Sequence, residues 1–199
     1  MVTVLPIASY LFVSNLSKDA IKMPRRYFYD TVVVKMEKGK KINDTVWHKV
    51  RPFKLKNQFG KEVGLEDWGG KIIIADFFFT SCPSICPKLT RNMKKLQTAF
   101  KKTDPLVRFV SFTVDPVRDS VQALKAYGDK FGIDHDTWFM LTGNRNELYD
   151  IALNEFKASI ASNGNIDTGF IHTDRFFLLD RDRVVRGWYN GLDSANLDK

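Results

Sequence analysis

Cysteine is nearly absent: the 199 residues hold two, too few for the disulfide frameworks of small exported domains and enough for one redox couple or half of a metal site. Cysteine number alone therefore leaves the compartment open. No stretch reaches the roughly 20 consecutive apolar residues of a membrane-spanning helix, because the apolar opening, residues 1–13, gives way to the polar run Ser14-Asn15-Leu16-Ser17-Lys18-Asp19. The opening also lacks a basic n-region before it. It reads instead as the remnant of a membrane anchor, with residues 14–26 as a juxtamembrane linker and residues 27–199 as one domain; the competing reading is an ordinary buried segment. The formal charge of +8 forms no single basic stripe of the kind that nucleic-acid binding needs. Nucleic acid is thereby set aside, and an acidic protein partner or an anionic membrane surface is favoured. There is no internal repeat and no low-complexity tract.

What is present is the composition of a globular domain with extensions, 44% hydrophobic and 27% charged. Its most apolar run, Ile72-Ile73-Ile74-Ala75-Asp76-Phe77-Phe78-Phe79, has the length and Ile/Phe content of a buried strand. Directly after it come Thr80-Ser81-Cys82-Pro83-Ser84-Ile85-Cys86-Pro87, with both cysteines, and then a helical pattern over residues 87–97. Proline is tolerated in a first helical turn, so Pro83 or Pro87 can open this helix and bring the cysteines to its N-terminus. Spaced Cys-x-x-x-Cys, they would share one face. The helix dipole and unpaired N–H groups there favour a thiolate, the nucleophilic and metal-binding form. The plain alternative is two buried cysteines without chemistry, since free cysteine is among the most buried residue types.

The β-branched run in residues 27–36 predicts a strand, with residues 45–55 as its partner, and a turn at residues 57–60 predicts a small hairpin. A second buried strand is expected over residues 106–114, so that two strands joined by a helix lie parallel. Asp115-Pro116-Val117-Arg118-Asp119-Ser120 is a turn opening a helix over residues 121–131, closed by Gly132. A strand near residues 138–141, a helix over 146–156, a loop through 162–172 and a hairpin of residues 175–179 and 184–189 follow. Ser194 resembles a helix cap without its helix, so a terminal helix is expected to be missing. A βαβα pattern followed by ββ, with a reactive pair after the first core strand, is that of a thioredoxin-like α/β fold: a central mixed sheet flanked by helices, here with an added N-terminal strand or hairpin.

Of three histidines, His48 and His135 have the setting of structural or solvated residues. His172 stands before the penultimate strand, where a thioredoxin-like sheet faces the cysteine-bearing turn. Two thiolates and one imidazole make a soft donor set suited to Cu(I), able to take Cu(II) if another donor joins, whereas Zn(II) seeks a fourth ligand. Asp76 is a carboxylate in an apolar strand, costly unless paired or protonated. Asp115, Arg118 and Asp119 form a charged group at a turn, with an ion pair to Arg118 and an acidic first helical turn as their structural explanation.

Together, Phe79-Thr80-Ser81-Cys82-Pro83-Ser84-Ile85-Cys86-Pro87, Thr113-Val114-Asp115-Pro116-Val117-Arg118-Asp119 and the late His172 resemble the Sco/SenC family of copper-binding cytochrome c oxidase assembly proteins, over roughly residues 53–191. The resemblance implies a membrane-anchored thioredoxin-like domain with Cys82, Cys86 and His172 as copper ligands. It implies delivery of copper to the CuA centre in the oxidase's copper-binding subunit, with other copper chaperones or thiol reductants as further partners. It places the domain in the bacterial periplasm or another extracytoplasmic space, or on the mitochondrial inner membrane facing the intermembrane space. The loop Asp115 to Asp119 would lie beside the copper site, as second shell or docking element. The last proline is Pro116, so the late cis-proline of thioredoxin-like oxidoreductases has no counterpart, and this favours copper over general disulfide exchange. Asp76, which resembles the buried proton acceptor of thioredoxins, keeps a second activity open: a thiol-disulfide oxidoreductase that holds the oxidase's copper-site cysteines reduced.

Overall fold

Isoleucine and phenylalanine crowd the strand β5, Ile72–Phe78, which lies in the interior of a seven-stranded sheet and is covered on both faces. The computed structural model describes residues 26–37, 40–101, 106–158 and 173–193. In chain order the strands are β1 (Tyr29–Glu37), β2 (Lys40–Trp47), β3 (Lys54–Asn57), β4 (Glu62–Gly64), β5, β6 (Val107–Thr113), β7 (Trp138–Thr142), β8 (Arg175–Leu179) and β9 (Val185–Asn190). The helices are α1 (Cys86–Phe100), α2 (Val121–Phe131) and α3 (Arg145–Asp150), the last continued by a π turn over Ile151–Glu155. The main sheet runs β4-β3-β7-β6-β5-β8-β9, while β1 and β2 form a separate hairpin. Strand β5 is parallel to β6 and β6 to β7; β8 is antiparallel to β5, and β9 to β8. The predicted parallel βαβ unit and closing hairpin are therefore present.

Side chains of a strand alternate between faces, and β5 uses both. Ile73, Ala75 and Phe77 pack with Val110, Phe112, Leu148, Ile151 and Phe156 on the α3 side. There Phe77 meets Phe112, Phe156 and Phe177 at ring-centroid distances of 5.3, 5.5 and 5.7 Å, each such pair adding roughly 0.5–1.5 kcal/mol beyond its buried area. Ile74 and Phe78 face the other way, toward Cys86, Leu89 and Met93 of α1 and Leu124 and Tyr127 of α2. Asp76 has the parity of Ile74 and Phe78, so it belongs to the face that carries the cysteines.

Three expectations need correction. Residues 45–55 are not one strand: β2 ends at Trp47, and Leu55 belongs to β3 in the main sheet. Pro52 explains the break, since it can donate no ladder bond and restricts Arg51 before it. The helix after the cysteines begins at Cys86, with Pro87 in its first turn, and Cys82 stays outside it. Helix α3 starts one residue early at Arg145, because Asn144 Oδ1 accepts from the N–H groups of Asn146 (2.8 Å) and Glu147 (3.4 Å). The closure of α2 is as expected, with Gly132 at φ 61° in the left-handed conformation that glycine adopts freely.

His48 and His135 are structural. The His48 ring joins Asp30 Oδ1 (2.7 Å) to the backbone oxygen of Glu155 (3.1 Å), tying the hairpin to the core. The His135 ring bridges Gln58 Nε2 and Asp129 Oδ1, each at 3.0 Å. The anchor expected over residues 1–13, most of the linker and the chain from Ser194 lie outside the described residues. Among the described residues no helix is long and apolar enough to cross a membrane.

Candidate metal and thiol site

Strand β5 delivers the chain to the site and β6 pins its exit, Val114 N–H donating to the Phe78 carbonyl at 2.9 Å. The loop then turns so that Cys82 N–H reaches the Phe79 carbonyl at 3.2 Å. Helix α1 opens without a side-chain cap from Ile85. Its first orphan donor is met by sulfur, for Cys86 N–H donates to Cys82 Sγ at 3.4 Å. The two cysteines are thus adjacent although only Cys86 is helical, and both are free thiols.

They differ in environment. Cys82 is 8% exposed and Cys86 1%. Burial pushes the Cys82 thiol up, but hydrogen bonds from the Cys86 thiol and N–H and from the Ser84 N–H and hydroxyl outweigh it and leave the group below its usual value. Burial drives the Cys86 thiol far up, and the sulfur of Cys82 adds to the rise. The pair thus sets a thiol that ionises more readily than usual beside one that holds its proton more tightly.

Asp76 is buried beneath this pair on the same sheet face, opposite Ser111 in the β5–β6 register. Burial raises its carboxyl from 3.8 to about 7, with Ser111 opposing the rise. Its Oδ1 has no hydrogen-bond partner among the described residues. When ionised its charge pushes both Cys86 and Tyr127 upward, which shows the coupling between this strand position and the thiols.

The group at residues 115–119 divides into two roles. Asp115 meets the expected partner, with Arg118 Nε 3.6 Å from Oδ2. Asp119 does something the sequence did not disclose: fully buried, it accepts from Thr80 Oγ1 (2.5 Å), Thr80 N (3.1 Å) and Thr113 Oγ1 (2.5 Å). It therefore clamps the cysteine loop to the end of β6. The expected acidic first turn is absent; α2 is capped by Ser120, which accepts from Ala123 N–H at 3.2 Å. Replacing Asp119 by Ala leaves three donors without their acceptor, and hydrogen bonds to a charged group contribute about 1.5–3 kcal/mol each, non-additively. We expect Asp119→Ala to lower unfolding free energy by about 3 kcal/mol, read from the urea midpoint, where a change under about 1 kcal/mol would contradict the clamp.

His172 lies outside the described residues. Among the described residues no group of three or more His, Cys, Asp or Glu side chains is placed to hold a metal ion. Sequence reasoning also missed the approach to Cys82, a cleft of about 460 Å3 lined by Thr80, Cys82, Pro87, Arg91, Tyr127, Lys130 and Phe131. The helical spacings of Pro87 with Arg91, and of Tyr127 with Lys130 and Phe131, were available as signals. Their convergence depends on α1 and α2 covering the same sheet face.

A dithiol at the turn from a central strand into a helix, in a sheet containing the order β6-β5-β8-β9, defines a thioredoxin-like protein. The family model described as SCO1/SenC matches residues 43–197, and the chain belongs to that family. It is 37% identical over 161 residues to the SCO1 protein homolog of Bacillus subtilis (strain 168), covering 80% of this chain and 83% of that one. The solved structure of BsSco, described as a member of the Sco family of cytochrome c oxidase assembly proteins with a disulfide switch, aligns with a TM-score of 0.63 at 34% identity, over 75% of this chain and 89% of that one. Arabidopsis thaliana ScoI with copper bound aligns with a TM-score of 0.58 at 26% identity, over 74% and 91%. Sco homologues of known structure thus hold copper. Homologues include a lipoprotein from Bacillus anthracis str. Ames and a mitochondrial protein of Mus musculus.

Proposed function

We propose that this chain is a copper metallochaperone, taking one copper ion on the thiolates of Cys82 and Cys86 and the imidazole of His172 and passing it on during assembly of the CuA centre of cytochrome c oxidase. The observation that carries the reading is the sulfur pair: Cys82 Sγ accepts the N–H of Cys86 at the start of α1, so two soft donors stand together at a strand-to-helix turn. Such donors suit Cu(I). Both must be deprotonated to bind, and the high Cys86 thiol makes uptake release a proton and weaken as pH falls. The partner is the copper-binding subunit of the oxidase, and the domain works outside the cytoplasm, carried by the apolar N-terminal segment.

The test is copper titration of the reduced full chain and of His172→Ala with a competing chelator. Loss of affinity by at least about tenfold is expected, since even residues that only orient metal ligands cost tenfold or more. Equal affinity in both proteins would remove His172 from the donor set.

A second reading has its own observation, the opposed shifts of the two thiols above the buried Asp76. That arrangement supports a thiol-disulfide oxidoreductase in which Cys82 attacks, Cys86 resolves and Asp76 accepts the proton of Cys86. Its task would be to keep the cysteines of the oxidase copper site reduced. The two readings share the sulfurs and differ in cargo.

A further inference from the structure

Helix α1 carries Lys88 in its first turn and no acidic residue there, against the ordinary preference for carboxylates at a helix N-terminus. One turn on, Arg91 enters the lining of the cleft over Cys82. From α2 comes Lys130, whose Nζ lies 6.0 Å from the Phe131 ring. Lys130 by itself has a simple explanation, a cation in the last turn of its helix. Arg91 has no such explanation. Both are exposed, and among the described residues neither is joined to a carboxylate by an ion pair. None of the seven lining residues is acidic. The floor is apolar and firm: the Tyr127 ring lies 4.7 Å from that of Phe131, and the Tyr127 hydroxyl is 3.0 Å from Thr90 Oγ1.

A cleft whose one reactive atom is sulfur, whose rim holds two unpaired cations and whose floor is aromatic selects by charge what approaches the sulfur. We infer that the Arg91–Lys130 cleft is the docking site for an acidic polypeptide segment that brings a partner's cysteines to Cys82. This rests on the reading of Cys82 as the exchanging sulfur and adds the chemistry of its partner. Two cations near a solvated cleft act mainly on encounter, raising association rates by tenfold or more at low ionic strength. Salt attenuates the effect, because screening acts over about 10 Å at 0.1 M.

The test uses the reduced full chain and two peptides that share one internal disulfide and differ only in flanking residues, aspartate and glutamate in one, lysine and arginine in the other. The Cys82 thiolate attacks a peptide sulfur, forming a mixed disulfide and releasing one peptide thiolate. Cys86, on losing its proton, attacks Cys82 Sγ, so that the Cys82–Cys86 bond forms, the second peptide thiolate leaves, and two electrons have passed to the peptide. The readout is the ratio of the two peptides' rates within one protein, in which the intrinsic reactivity of Cys82 cancels. We expect the acidic peptide to react about tenfold faster in 20 mM salt, with the ratio falling toward one in 0.5 M salt. In Arg91→Glu/Lys130→Glu the ratio should drop below one; Arg91→Gln/Lys130→Gln, with a smaller change of charge, should bring it near one. Equal rates for the two peptides with the wild-type chain overturn the docking site. Failure of both peptides, when a neutral dipyridyl disulfide also fails to react, overturns the exchange reading beneath it instead. Failure of both peptides while the neutral disulfide reacts overturns the docking site alone.

Discussion

At neutral pH iodoacetamide should label Cys82 at least about a hundredfold faster than Cys86. The thiolate is the reacting form, so the ratio follows the separation of the two thiols, and each pH unit of separation is a factor of ten. Cys82 is held below its usual value by the donors around its sulfur, while burial drives Cys86 far above its own. Access acts in the same direction, because Cys82 lines the cleft and Cys86 is 1% exposed. Cys82→Ser should therefore abolish the fast phase, and Cys86→Ser should keep it. Peptide mapping over a time course reads both. Similar rates at the two sites would mean that the cap geometry at the start of α1 does not hold in solution, and would weaken the oxidoreductase reading more than the copper reading, which needs both sulfurs deprotonated in any case.

Much of this site could be read from the chain. The Ile72–Phe79 run announced a strand buried on both faces, and a strand, a Cys-rich turn with proline and a helical pattern in succession gave the cysteines their place. Asp76 stood out as a carboxylate in that apolar strand, and the packing of the strand then put it on the cysteine face. Local pattern could not show which acid on the 115–119 turn holds the cysteine loop, since both are buried. Turn chemistry explains Asp115 and Asp119 equally well, and only the approach of Thr80 from another element makes Asp119 the clamp. The same holds for Cys82, whose expected helical position gave way to a cap made through its sulfur. Helical periodicity treats both cysteines alike, whereas the loop geometry set by Phe79 and Asp119 does not. The cleft was hidden for a related reason: Arg91 and Lys130 each look like a cation on a solvated helix face until the helices are packed together.

Asp76 leads to the other large effect, a stability that declines with pH. In the unfolded chain its carboxyl ionises near the ordinary 3.8, while in the fold burial holds the proton up to about 7. Below 3.8 both states are protonated and the stabilising contribution is fully present. Between 3.8 and about 7 the folded chain binds one more proton than the unfolded chain, so unfolding free energy falls by about 1.4 kcal/mol per pH unit. Across that window the loss is about 4 kcal/mol, and above it the contribution is gone. Asp76→Asn cannot titrate, so the difference in unfolding free energy between wild type and variant should shift against the wild type by that amount between pH 4 and pH 7.5, measured by urea unfolding. Parallel curves would mean that the carboxyl ionises normally and has a partner for Oδ1 in solution. The same titration bears on function, because only ionised Asp76 can take the proton of Cys86, yet its charge also pushes that thiol further up. Resolution by Cys86 therefore needs pH high enough to empty Asp76 of its proton, whereas a metal ion placed on the sulfurs would displace the Cys86 proton directly. A rate of Cys82–Cys86 disulfide formation that rises through pH 7 in the wild type, and not in Asp76→Asn, would assign the strand carboxylate to thiol exchange.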